Sequence, residues 1–115
     1  MKLSVEERNA AIKLLYFVGT LPERSGNGEW KSMSKTEPNL FNHVQWLYND
    51  LRSFDELEMT FARMDTLRTA VTLCNRVLQN YSMKAAMKSY VEAVSIVHEF
   101  LTNGEIRKSS PAHRK

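Results

Sequence analysis

Cysteine occurs once in the 115-residue chain, at Cys74. A single thiol excludes an internal disulfide and a cysteine-type zinc site, and it is compatible with a reducing cytosol. Glycine and proline are also scarce: four glycines and three prolines, gathered in 19–38 and 104–111, with none between Asn39 and Asn103. So long a stretch without breakers favours helices. No apolar run approaches the roughly 20 residues that a membrane span needs. The opening Met-Lys-Leu-Ser-Val-Glu-Glu turns acidic too soon for a signal peptide, and a cytoplasmic location is expected. Charge of one sign is missing locally as well, since no Asp or Glu stands between Thr66 and Val91.

What is present is ordinary for one globular domain: 43% hydrophobic, 25% charged and 10% aromatic residues. The net charge of +3 is local. Residues 104–115 hold Arg107, Lys108, Arg114 and Lys115 against Glu105, which accounts for all of it. The body, 1–103, is neutral, so the basic pI is poor support for a nucleic-acid-binding body.

The pattern predicts an all-α four-helix bundle with helices at about 5–18, 37–52, 54–80 and 83–102, a long 19–35 loop and a basic C-terminal tail. Ser4-Val5-Glu6-Glu7 reads as a capping box, and Gly19 as the residue just past the end of that helix. Thr36 is the expected cap of the second helix, with Pro38 in its first turn. Leu40, Phe41, Val44, Leu47, Tyr48 and Leu51 form its stripe. Ser53-Phe54-Asp55-Glu56 reads as a second capping box. The third helix carries Met64, Leu67, Val71, Cys74, Leu78 and Tyr81. The fourth, capped by Ser82 and stopped at Asn103-Gly104, carries Met83, Met87, Tyr90, Val94, Val97 and Leu101. Two near-heptad stripes joined by a tight turn imply an antiparallel hairpin.

Catalytic groups are sparse. A nucleophile needs an adjacent base held by a third group. His98 is expected to pack at the edge of the fourth helix's stripe, and Cys74 to be a buried small hydrophobe. His43 and Asp50 share the outer face of the second helix, but two ligands without a third do not make a metal site. Gly26 to Ser32 lacks the Gly-Lys pair of a phosphate loop. Arg107 and His113 have a spacing that resembles the Arg-x(4–6)-His motif of HEPN ribonucleases; that motif sits on a helix, and Pro111 in a polar tail argues against one. No enzyme, cofactor or metal is expected.

Three features point to binding. The 19–35 connection carries Arg24, Trp30 and Lys31. Trp46 lies off its own helix's stripe and is expected to pack beneath that loop or to await a partner, tryptophan being enriched at binding hot spots. Arg68, Arg76, Lys84 and Lys88 surround the last hairpin with no acid nearby in sequence. Lys84 and Lys88 stand where the helix dipole disfavours them. Together these predict a non-enzymatic adaptor or inhibitor that docks another protein or itself. Small proteins of phage and other mobile elements are commonly of this kind. The alternative is a nucleic-acid-contacting subunit using the basic hairpin and tail. A homodimer is expected through part of the fourth helix's apolar surface, which includes the flank Ala86, Ala93, Ile96 and Phe100, or of the equally broad third helix, because the first helix looks too short to cover both.

Overall fold

The structure, a computed structural model, describes residues 2–21, 28–79 and 85–113, with side-chain surroundings for 2–21, 31–79 and 88–103. Five helices pack together there: α1 Val5–Gly19, α2 Gly28–Thr36, α3 Pro38–Ser53, α4 Phe61–Gln79 and α5 Ala85–His113. Among the described residues there is no strand, only an isolated bridge between Lys2 and Glu58. No described helix is long and apolar enough to cross a membrane.

α1 is the central element. Its second half is apolar around most of its circumference, and a helix of that kind must be covered on several sides. It packs against α3, α4 and α5, burying Ala10, Ala11, Leu14, Leu15, Phe17 and Val18. Its start is the expected capping box: the Glu7 amide donates to Ser4 Oγ at 3.1 Å and the Ser4 amide to Glu7 Oε1 at 2.8 Å.

The other stripes fall inward as expected. Val44, Leu47 and Leu51 of α3 are buried, as are Met64, Leu67, Val71 and Cys74 of α4 and Val94, Val97 and Leu101 of α5. Arg68, Val71 and Thr72 of α4 line one groove with His98, Leu101 and Thr102 of α5. The five residues between these helices reach at most about 18 Å, too little to return along α4, so the pair is antiparallel. Tyr81, Ser82, Met83 and the tight turn fall outside the described residues.

Four boundaries differ from expectation. The 19–35 segment is not one loop, because α2 occupies its second half. Its hydroxyls do not compete with the helix: Ser34 Oγ donates to the Lys31 carbonyl at 2.8 Å and Thr36 Oγ1 to that of Ser32 at 3.1 Å. Thr36 therefore ends α2 and does not cap α3. Pro38 disfavours the helical region for the residue before it, and the break falls at Glu37 (φ −129°, ψ 60°), which makes no side-chain cap bond.

The third difference is at 54–60, expected to be helix. Ser53 closes α3 and Phe54 is extended. Leu57 and Met59 turn inward while Glu58 and Thr60 stay exposed, the alternation of an extended segment. The two acids of the supposed box face elsewhere, Asp55 to Arg8 at 3.7 Å and Glu56 to Lys2 at 3.8 Å. The real cap of α4 is Thr60, whose Oγ1 accepts from the Arg63 amide at 3.3 Å.

Finally, α5 does not stop at Asn103-Gly104. Its backbone stays helical through Gly104 and Pro111 to His113. One interior glycine costs only about 1 kcal/mol relative to alanine, too little to end a helix by itself. The basic tail is thus a helical continuation over most of its length.

Candidate docking groove

The outward face of α3 holds Trp46, which among the described aromatic residues is exceeded in exposure only by Phe61 at the start of α4. With Val44, Leu47 and Leu51 committed to the core, the helical period sends Asn42, Trp46 and Asn49 away from it. Trp46 is 58% exposed. So open a side chain is not enclosed, contrary to the expectation that it packs beneath a loop. His43 meets the indole edge-on, with ring centroids 5.3 Å apart and planes at 69°.

Beside Trp46 lies a cavity of about 280 Å³ between α3 and α4, lined by His43, Trp46, Leu47, Asp50, Thr60, Ala62, Arg63 and Thr66. Arg63 fixes its floor. Its Nη1 donates to the Glu58 carbonyl at 2.7 Å, and its Nη2 lies 3.7 Å from Asp50 Oδ2. The hydroxyl of Thr66 is spent on the Ala62 carbonyl at 3.1 Å. Among the described residues, the Trp46 N–H and the His43 ring nitrogens have no protein hydrogen-bond partner. His43 and Asp50, read as sharing a face, do share this groove. No three His, Cys, Asp or Glu groups come together to hold a metal among the described residues.

The basic hairpin is less open than its sequence suggests. Arg68 Nη1 donates to Asp65 Oδ1 at 2.7 Å. That acid stands just before the acid-free stretch, one helical turn from Arg68, so the arginine is not unopposed. Arg76 and Lys88 are exposed on α4 and α5, while Lys84 lies outside the described residues. His98 is exposed, not packed, and borders the second groove, of about 210 Å³, with Arg68. Cys74 is fully buried, and burial pushes its thiol up to about 12. Lys31 is exposed on α2; the side chain of Trp30, also on α2, lies outside the described residues.

The apolar flank expected to meet a second copy is covered within the chain. Ala93 and Phe100 are buried and Ile96 packs against the core; Ala86 lies outside the described side chains. α5 packs along α1, where the Phe17 and Tyr90 ring centroids lie 4.4 Å apart.

The sequence holds one further signal beside the helical stripes. From Pro38 to Asn49 there is no Asp, Glu, Lys or Arg, although a quarter of the chain is charged. Half of those residues face outward and carry amide, imidazole or indole groups. Depletion of charge around an aromatic residue is the compositional mark of an interface core.

Arg107 and His113 both fall on the helical backbone of α5, with side chains outside the described residues. No protein-family model matches the chain, and no curated protein and no solved structure matches it.

Proposed function

We propose that this chain is a non-enzymatic binding protein, an adaptor or inhibitor, that docks a partner protein through the outer face of α3 centred on Trp46. The exposure of Trp46 carries the reading. A large apolar ring left more than half in water, beside a groove of side-chain size, is the arrangement in which hot-spot tryptophans are found. The uncharged stretch around it supports a protein partner. An interface built for phosphates is strongly positive, whereas this groove holds one cation already facing Asp50. Pairing of Arg68 with Asp65 weakens the nucleic-acid alternative for the same reason.

The test compares the immobilised chain with Trp46→Ala. The variant should melt like the parent, since the side chain removed is mostly in water. The parent should retain a protein through washes at about 0.5 M salt, conditions that strip phosphate-mediated complexes, and the variant should lose it. Retention of nucleic acid that salt releases, unaffected by Trp46→Ala, would overturn the reading in favour of the basic hairpin.

A further inference from the structure

We infer that the partner seats an arginine side chain in the groove between α3 and α4, its guanidinium stacked on the Trp46 indole and hydrogen-bonded to the Asp50 carboxylate. The inference rests on the reading of Trp46 as the centre of a docking face and names the chemistry that this face takes.

The carboxylate is the first argument. Asp50 lines the groove, and its side chain is 40% exposed. Arg63 Nη2 stands 3.7 Å from Oδ2, beyond hydrogen-bond length. That guanidinium is drawn instead to the Glu58 carbonyl, to which Nη1 donates at 2.7 Å. Among the described residues, no group donates a hydrogen bond to the Asp50 carboxylate. An ionised carboxylate only accepts, and a guanidinium fork with two parallel N–H bonds satisfies it best.

The indole is the second argument. Two partly buried rings of the chain carry a cation of their own: Lys13 Nζ lies 5.5 Å from the Tyr90 centroid, and Arg52 Cζ 5.3 Å from that of Tyr48. Tryptophan attracts cations more strongly than tyrosine. Yet no described cation lies over Trp46, which is 58% exposed, and Pro38–Asn49 holds no Lys or Arg to supply one. The negative face of the ring reinforces the acid of the groove, not its base.

Spacing joins the two. Trp46 and Asp50 are four residues apart on α3, about 6 Å along the axis and on one face. A flat guanidinium lying on the indole directs its N–H edge along the helix at the carboxylate. A lysine ammonium has neither the plane nor the fork. An acidic side chain brought to Arg63 would meet Asp50 and the ring's negative face. Leu47 and Ala62, the apolar side of the groove, suit the methylene stem of an arginine.

Nuclear magnetic resonance of the isotope-labelled full chain tests this through the Trp46 indole N–H, identified by its absence from Trp46→Ala. The probes are blocked alanine peptides with arginine, citrulline, lysine or glutamate at the centre. The arginine peptide should shift that resonance saturably in roughly the millimolar range. Citrulline has the shape of arginine without its charge and should bind at least about fivefold more weakly; lysine should bind at least about twofold more weakly, and glutamate should give no shift. In Asp50→Asn, checked for a parent-like melt, the arginine peptide should lose at least about fivefold and fall to within about twofold of citrulline. Equal binding of arginine and citrulline by the parent overturns the inference, as do a preference for glutamate, no shift by about 20 mM, and an unchanged arginine affinity in a folded Asp50→Asn. Lysine binding as tightly as arginine overturns the assignment of a guanidinium. The peptide comparison uses the parent alone, so it decides the matter even where Asp50→Asn does not fold. None of these failures touches the docking reading, which is decided by what the immobilised chain and Trp46→Ala retain.

Discussion

Arg8 Nε donates to the backbone carbonyl of Leu51 at 2.9 Å, across 43 positions of sequence. Leu51 belongs to the last turn of α3, where carbonyls have no partner within the helix. A cation from the second turn of α1 thus caps α3 and meets its negative dipole end. The same guanidinium reaches Asp55 at 3.7 Å, but that carboxylate is 98% exposed and adds little. Arg8→Ala should lower stability by about 1–2 kcal/mol through the lost charged hydrogen bond. Arg8→Lys should recover only part of it, having no fork to aim. Urea denaturation of the three proteins measures the difference.

Thr60 supplies the corresponding prediction at the start of α4. Its side chain accepts from the Arg63 amide and its carbonyl from the Met64 amide at 2.9 Å. Thr60→Ala should cost about 1 kcal/mol, while Thr60→Ser or Thr60→Asp should cost far less. Ser53→Ala, at the cap position suggested by the local motif, should change stability by less than about 0.5 kcal/mol. Equal losses at both positions in thermal melts would contradict the observed boundary.

These two caps show what was legible in the sequence. Stripes that repeat over three or four turns survive, so α1, α3, α4 and α5 were found and their core residues fell inward. Ser4 to Glu7 worked as a box because nothing else competed for Glu7. Ser53 to Glu56 has the same letters, yet the core takes Leu57 and Met59 on one side, with Glu58 turned outward between them, and draws that segment out straight. α2 was hidden because its only described inward anchor is Met33. The docking groove was half legible: an off-stripe tryptophan was visible at Trp46, but its exposure depends on where α2 lies. Arg68 looked unopposed because its partner Asp65 stands one residue outside the acid-free stretch.

Val71 tests the core. It is buried between α4 and the helices around it. Val71→Asp would bury a carboxylate with no partner, at a cost of several kcal/mol. Val71→Ala should cost only about 1–3 kcal/mol, the transfer and cavity terms of two methyl groups. Circular dichroism should show the first variant largely unfolded or melting far below the parent, and the second folded with a lower midpoint.

Lys88 separates the two binding readings. It is exposed in the first turns of α5, where an acid suits the helix dipole better than a base. Lys88→Glu should keep full helicity and gain a few tenths of a kcal/mol. Capture of a protein through Trp46 should stay within about twofold of the parent, since a remote charge alters encounter more than affinity. A loss of about tenfold or more, worth roughly 1.4 kcal/mol, would return the basic hairpin to the centre of the function.

Cys74 gives the pH prediction. The thiol has no exposed surface, and desolvation raises it from an ordinary 9.0 to about 12. In the unfolded chain it loses its proton near 9, whereas in the folded chain it keeps it until about 12. Between those values the native state binds more protons, so stability falls as pH rises, by up to about 1.4 kcal/mol per unit. Below pH 9 both states hold the proton and the group adds no slope. Cys74→Ala removes this component at the expense of a smaller core side chain. Its melting temperature should start lower at neutral pH and then decline less steeply than the parent's above pH 9, where lysines and tyrosines titrate in both proteins. Reaction with a thiol reagent at neutral pH gives an independent reading. A buried protonated sulfur reacts only when the chain opens, so the rate should follow unfolding and rise sharply in Val71→Ala. Rapid labelling of the native parent, at the rate of a free thiol, would show that Cys74 is not enclosed by the core as described.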